Sequence, residues 1–315
     1  MAELGVNGIT TTTKNVFIPI RNAGIGDAIL LQDGMDGTSL SHFRAVAGST
    51  VQAAPPSGYA WYGIVYGIER DGLMIRSLAP SAMPWANVAT TGVSVGLDAT
   101  SHKNVIDTTT SNFGYARNGL NNAVYRAMSV AECASRCANN NNSNLHPSTG
   151  YSTGTNPPMG LANFNADVAG AKTLYGTYSN YIAQTAPILK GSGAGPFQYR
   201  CGKENTKELA LNNSTDGYSF PAAQYCYNYK VGSEVVNRWW LPDMYELFVM
   251  MCDNSFEACS PTAAVIGGNT PRATSRWSCV RCSAANAWYY DGSGVSGYSY
   301  FVYGVTVVPV TLLPL

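Results

Sequence analysis

Apolar positions along this chain recur with two different periods. Residues 16–20 form a short apolar run. Residues 59–68 alternate aromatic and small side chains, and residues 73–78 return as a second run after Arg70-Asp71-Gly72. Asp-Gly between two such runs signals a hairpin, so residues 1–85 read as a small β-rich domain for anchoring or assembly. Further on the period becomes helical. Residues 120–137 place Val124, Met128 and Ala131 on one side, and from Phe164 onward Val168, Ala171, Tyr175, Tyr178 and Ile182 recur at helical spacing. Between these stretches, the asparagines at 139–142, His146-Pro147 and Asn156-Pro157-Pro158 mark a polar loop or linker.

The clearest helix starts after Trp239-Trp240-Leu241-Pro242. Pro242 disfavours helix at Leu241. Asp243 can cap the next turn, and Glu246, three residues on, can return the bond to the cap amide. Met244, Leu247, Phe248 and Met251 then share one face. Residues 305–313 read as a β run, and Pro309 inside it implies an edge strand, a strand end or a bulge. The pattern therefore predicts an α+β protein in three parts: a β-rich region over 1–85, a linker or insertion with one helix over 86–160, and an α+β domain over 161–315.

Composition narrows the function classes. Charged residues make up only 12% of the 315, with 19 acidic and 19 basic side chains, and soluble domains commonly reach about 25%. No basic patch suited to nucleic acid is visible. A surface poor in charge and rich in Tyr, Asn, Ser and Thr suits adhesins, capsid parts and tail proteins, and equally a plain hydrogen-bonding β surface. The N-terminus lacks a basic region followed by an apolar stretch, so no signal peptide is expected. No run of about 18 apolar residues predicts a membrane span. A virion component released by lysis fits both observations.

Candidate reactive groups are sparse. Cys133 and Cys137 share a helical face, and Cys279 and Cys282 form one CxxC with no second pair, which is weak as a zinc signature. Cys201, Cys226, Cys252 and Cys259 complete the set, too few for a disulfide scaffold. His42, His102 and His146 lie far apart among polar residues and form no triad or metal pattern. The glycine-rich stretch at 191–195 does not sit between a strand and a helix, so a turn is expected rather than a phosphate cradle. No cofactor, no metal and no catalytic residue is expected.

Residues 276–304 stand out. Tyr, Ser and Gly fill nearly half of them, Lys, Glu, Gln and Met are absent, and Arg276, Arg281 and Asp291 carry the charge. Antibody combining loops use this palette: tyrosine gives a large, stiff, amphipathic contact, and serine and glycine give adaptable hydrogen bonding.

Several ordered stretches together resemble the C-type lectin-like fold in its bacterial and phage form, a branch related in shape to the formylglycine-generating enzymes. They are Cys201-Gly202-Lys203-Glu204-Asn205-Thr206, Ala222-Ala223-Gln224-Tyr225-Cys226, Trp240-Leu241-Pro242 with Glu246-Leu247, Trp277-Ser278, Asn286-Ala287-Trp288 and Val307-Val308-Pro309-Val310. They cover about 200–315. The placement of the Tyr-rich stretch is similar to the variable proteins of diversity-generating retroelements, in which Asn codons of a template are randomised on copying. Such codons cannot yield Lys, Glu, Gln, Met or Trp, and residues 278–304 hold none of these except Trp288.

The resemblance implies a C-type lectin-like ligand-binding domain with a variable segment at about 271–304. Trp240, Pro242, Glu246, Trp277, Ala287 and Trp288 would be scaffold. Arg276, Ser278, Val280, Arg281, Ser283, Ala284, Tyr289, Tyr290, Ser293, Ser296, Tyr298, Tyr300 and Tyr303 would be exposed, diversified contacts. The alternation also places Tyr298, Tyr300 and Val302 on one face, with Phe301 and Tyr303 on the other. The implied function is receptor binding or adhesion, without enzymatic activity, toward a protein or glycan on another cell or particle. The implied location is a phage tail or bacterial surface, where homo-oligomers are common. Two alternatives remain open: a cysteine-dependent enzyme of the formylglycine-generating type, using Cys279 and Cys282, and a purely structural tail or fimbrial component. Calcium-dependent sugar binding fits poorly, because between Trp277 and Val305 only Asn286 and Asp291 offer suitable oxygens.

Overall fold

The computed structural model describes residues 14–69, 72–87, 164–167, 170–178, 202–211, 219–252, 255–271, 274–281, 286–290 and 296–315. Its N-terminal strands are β1 (Phe17–Ile18), β2 (Ala28–Gln32), β3 (Phe43–Val46), β4 (Tyr59–Glu69), β5 (Gly72–Arg76) and β6 (Ser81–Met83). The helices α1 (Ala171–Tyr175), α2 (Gly202–Leu211), α3 (Pro221–Asn228), α4 (Met244–Cys252) and α5 (Ser255–Ile266) follow. The chain then returns to strands: β7 (Arg276–Arg281), β8 (Asn286–Tyr290), β9 (Ser296–Tyr300), β10 (Val305–Val307) and β11 (Val310–Pro314). The fold is mixed α+β.

The expected hairpin is present as β4 and β5, paired antiparallel. Both faces of this pair are covered. Tyr62, Val65, Leu73 and Ile75 join one core with Trp239 and Val231. Ile64, Tyr66 and Met74 join the larger core with α4, α5 and the C-terminal strands. Strands buried on both faces read as continuous apolar runs, as 73–75 does here. Helix α5 packs on β4 and closely approaches the backbone of the turn that precedes β2. Thr262 Oγ1 donates to the Gly26 carbonyl at 2.6 Å, and a Cβ on Gly26, whose φ is +93°, would stand 2.5 Å from the Ala258 oxygen. Only glycine combines that backbone angle with that clearance.

Two sheets result. The first has the order β1-β3-β2-β4-β5-β11 and is antiparallel throughout. The second has the order β6-β10-β7-β8-β9, with β10 and β7 parallel. Pro309 marks the passage between them. β10 ends in the second sheet, and the Pro309 carbonyl then accepts from Ser77 N–H at 2.9 Å as β11 enters the first. The run at 305–313 is thus two strands in different sheets.

This topology differs from the expected division at residue 85. β6 pairs with β10, and β5 pairs with β11 along Val310↔Arg76 to Pro314↔Gly72. Residues 14–87 and the chain's C-terminal strands therefore share both sheets and both cores. Local periodicity reports faces of strands and not which strands pair, so the long-range closure was invisible in it. Of the helix expected from Phe164, the stretch Ala171–Tyr175 forms an α-helix, ended at Gly176 by its N–H on the Lys172 carbonyl. The helix expected at 120–137 and the glycines at 191–195 lie outside them.

Candidate binding surface

Strand β7 is the middle of the second sheet, and its sequence builds an interior. Arg276, Trp277, Ser278, Cys279 and Val280 are all fully buried. The register against β8 runs Arg276↔Tyr290 and Trp277↔Tyr289, then slips before Arg281↔Ala287. The extra residues form a bulge, whose unpaired backbone groups must find other partners. They do. Ser278 Oγ donates to the Trp288 carbonyl at 2.9 Å and accepts from Val280 N–H at 3.2 Å. Trp85 Nε1 donates to the Ser278 carbonyl, Asn205 Nδ2 to the Cys279 carbonyl, and Cys279 N–H to the Pro242 carbonyl.

The expected scaffold residues lie in this interior. Trp240, Trp277, Ala287 and Trp288 are buried. The capping pair is reciprocal: Glu246 N–H donates to Asp243 Oδ1 at 2.8 Å, and Asp243 N–H to Glu246 Oε2 at 2.9 Å. Trp240 Nε1 adds a bond to the same carboxylate.

Four positions expected at the surface are interior instead. Arg276, Ser278, Val280 and Tyr290 have essentially no exposure. The reason is that β7 is flanked by β10 and β8, and β7 and β8 are packed under α2 and α4. Arg276 spends its guanidinium on the preceding turn, donating to Thr270 Oγ1 at 2.7 Å and to the Thr274 and Pro271 carbonyls. Alternation along Arg276 to Val280 gives no outward face, because the side chains on both faces of the strand are buried.

The outward residues sit at the sheet's far edge. Tyr289 is half-buried and meets Trp277 edge-on. Tyr300 is 40% exposed and Tyr303 49% exposed, and their rings meet edge-to-face at 6.0 Å. The expected strand alternation through 303 stops at Tyr300. A turn follows, closed by Tyr303 N–H on the Tyr300 carbonyl, and it brings Tyr303 to the same side as Tyr300 rather than to that of Phe301. Phe301 turns inward and stacks on Trp85 at 4.7 Å, and its carbonyl accepts from the Trp85 amide. The two exposed tyrosines thus stand on a turn anchored by a buried aromatic. Arg281, Ser296 and Tyr298 lie on β7 and β9, with side chains outside the described set, as are Ser283, Ala284 and Ser293 altogether.

Reactive chemistry is thin among the described residues. No three His, Cys, Asp or Glu side chains gather where a metal could be held. Cys226, Cys259 and Cys279 are buried. His42 pairs with Asp36 at 3.3 Å on the surface. Among the described residues, no helix is long and apolar enough to cross a membrane.

No family model and no curated protein matches the chain. Among solved structures, a fimbrial protein from Bacteroides ovatus is similar, with a TM-score of 0.49 and 12% identity over 91% of this chain and 48% of that one. The chain spans about half the length of that protein.

Proposed function

We propose that the chain is a binding protein of the lectin-like type that contacts a protein or glycan on another cell or particle, displayed on a bacterial surface or phage tail. The observation that carries the reading is the exposed pair Tyr300 and Tyr303 on a turn pinned by Phe301. Aromatic side chains on a fixed backbone dominate binding energy, because they bring contact area at little entropic cost. A non-enzymatic role is supported by Cys279, whose full burial keeps its thiol from an outside substrate.

A Tyr300→Ser, Tyr303→Ser double variant tests the contact. Its urea midpoint should stay within about 0.5 kcal/mol of the parent, as for surface substitutions generally. On a glycan array and a panel of intact bacterial cells, the parent's strongest signal should fall at least about tenfold, the loss of one hot spot. A parent that binds nothing, or a variant that binds equally, removes the proposal.

Diversification by a retroelement is tested in the neighbouring DNA. A reverse-transcriptase gene and a near-copy of the segment encoding 271–315 should be found. The two copies should differ at template adenines, with codons 300 and 303 among those changed and the buried 276, 278, 280 and 290 kept. Absence of the copy, or differences scattered over other bases, ends that part of the reading.

A further inference from the structure

The tyrosine turn is held by a part of the chain far upstream of it. β9 pairs with β8, and β10 pairs with β6 and β7, so the two strands that the turn joins are not neighbours. A hairpin turn takes its shape from the paired strands it closes. This turn has no such pair. Its own backbone bonds are local: the Tyr303 amide donates to the Tyr300 carbonyl, and the Val305 amide to the Tyr303 carbonyl. The side chains of Tyr300 and Tyr303 are half exposed and meet each other.

The link to the interior is Phe301, which is fully buried. Its carbonyl accepts from the Trp85 and Ala86 amides at 2.8 and 3.4 Å, and its ring stacks on the Trp85 indole at 4.7 Å with 20° between the planes. Stacking of this kind orients two rings as well as burying them. Trp85 is held in turn. Its Nε1 donates to the Ser278 carbonyl at 2.9 Å, and Phe220 meets it edge-on at 5.5 Å. Two residues on, the Asn87 amide donates to the Ser219 carbonyl at 2.8 Å. Two residues back, Met83 pairs with Val305, where β10 begins, and its carbonyl accepts from Trp277 Nε1 at 3.0 Å. Residues 83–87 thus grip the turn in its middle, at Phe301, and at its exit, at Val305.

We propose that Trp85 is the positioning residue of the tyrosine contact: through Phe301 it sets the backbone from which Tyr300 and Tyr303 project. This rests on those two tyrosines being the contact. The frame of the contact then comes from the N-terminal part of the chain, outside the Tyr-rich stretch. Shape and chemistry are divided between different residues. Trp85 and Phe301 supply the geometry, and positions 300 and 303 supply the side chains, so the outward residues can change without moving the turn. A backbone fixed beforehand raises affinity, because binding then has less left to order.

The test follows amide hydrogen exchange in the full chain at Tyr303 and Val305, with β4 and β5 as the reference. Trp85→Leu keeps an apolar side chain in the core and removes the stack. Exchange in the turn should then speed up at least about tenfold, while β4 and β5 stay within about twofold of the parent, as for a local opening. Trp85→Phe keeps a stacking ring and should restore the parent's protection. Tyr300→Ser with Tyr303→Ser should leave turn exchange as in the parent. On the panel of intact bacterial cells, Trp85→Leu should lower the parent's strongest signal about as far as the double tyrosine variant does, and Trp85→Phe should keep it. If Trp85→Leu does not fold, Phe301→Leu removes the same stack from the other ring and is measured identically. Unchanged exchange in the turn, acceleration shared equally by β4 and β5, no rescue by Trp85→Phe, or full binding by a loosened turn would each overturn the positioning role. A parent that binds no cell or glycan instead removes the contact itself, a result distinct from an unchanged turn.

Discussion

Glu234→Ala destabilises the protein by about 3–5 kcal/mol, the cost of breaking a buried charge pair from one side. The Glu234 side chain is fully enclosed, and every oxygen is used. Oε1 accepts from the Tyr62 hydroxyl at 2.7 Å and faces Arg238 Nε at 2.9 Å. Oε2 accepts from Trp239 Nε1 at 2.8 Å and from the Val231 amide at 3.2 Å. Removing the carboxylate strands a phenol, an indole and an amide in the second core, and leaves a guanidinium without its partner. Arg238 is partly exposed, so Arg238→Ala should cost less. Glu234→Gln keeps an acceptor and should fall between the two. Urea denaturation of the three variants orders them. An Ala variant within 1 kcal/mol of the parent by that measurement, well below the cost of an orphaned buried charge, would contradict the account.

This cluster shows what one-dimensional reading misses. Glu234 sits in Val231-Gly232-Ser233-Glu234-Val235-Val236, which has no period and looks like a solvated loop. Its role is created by Tyr62, which lies 172 residues away. Pairwise chemistry across such a distance leaves no trace in local pattern. The Asp243 and Glu246 box was legible for the opposite reason, since both its donors and acceptors lie within four residues. The β4 and β5 hairpin was legible because Asp71-Gly72 and the two apolar runs are contiguous in the sequence.

Helix α5 escaped notice because Ser, Thr and Ala fill it and Pro261 interrupts it. Small residues and a breaker flatten the apolar stripe that reveals a helix. The candidate surface was legible in composition and not in geometry. Tyr300 and Tyr303 are outward, yet Arg276, Ser278, Val280 and Tyr290 pack inside. Their residue types fit a combining loop and a bulged interior strand equally well. Only the position of β7 between β10 and β8 separates those cases.

Alkaline pH should erode stability from about pH 9 upward, through groups the fold holds protonated. Burial pushes the Cys259 thiol up to about 11, with Arg76 beside it pulling back toward the thiolate. Burial alone pushes Cys226 well above the ordinary thiol range. Tyr62 rises well above the ordinary phenol range through burial and then the Glu234 charge. In each case the folded group binds its proton more tightly than the unfolded one. The associated stability is complete below the unfolded thiol's range, near pH 9, and is lost as pH rises through the folded value. For Cys259 alone a rise from 9 to about 11 corresponds to about 2–3 kcal/mol by pH 11. Cys226 and Tyr62 add in the same direction. Urea midpoints from pH 7 to 11 should be level to about 9 and then fall, and Cys259→Ala should lower the plateau while making the decline shallower. Equal midpoints at pH 8 and 10.5 would mean that these thiols titrate in the folded protein as they do in the open chain. The burial of Cys226 and Cys259 would then not be what controls them.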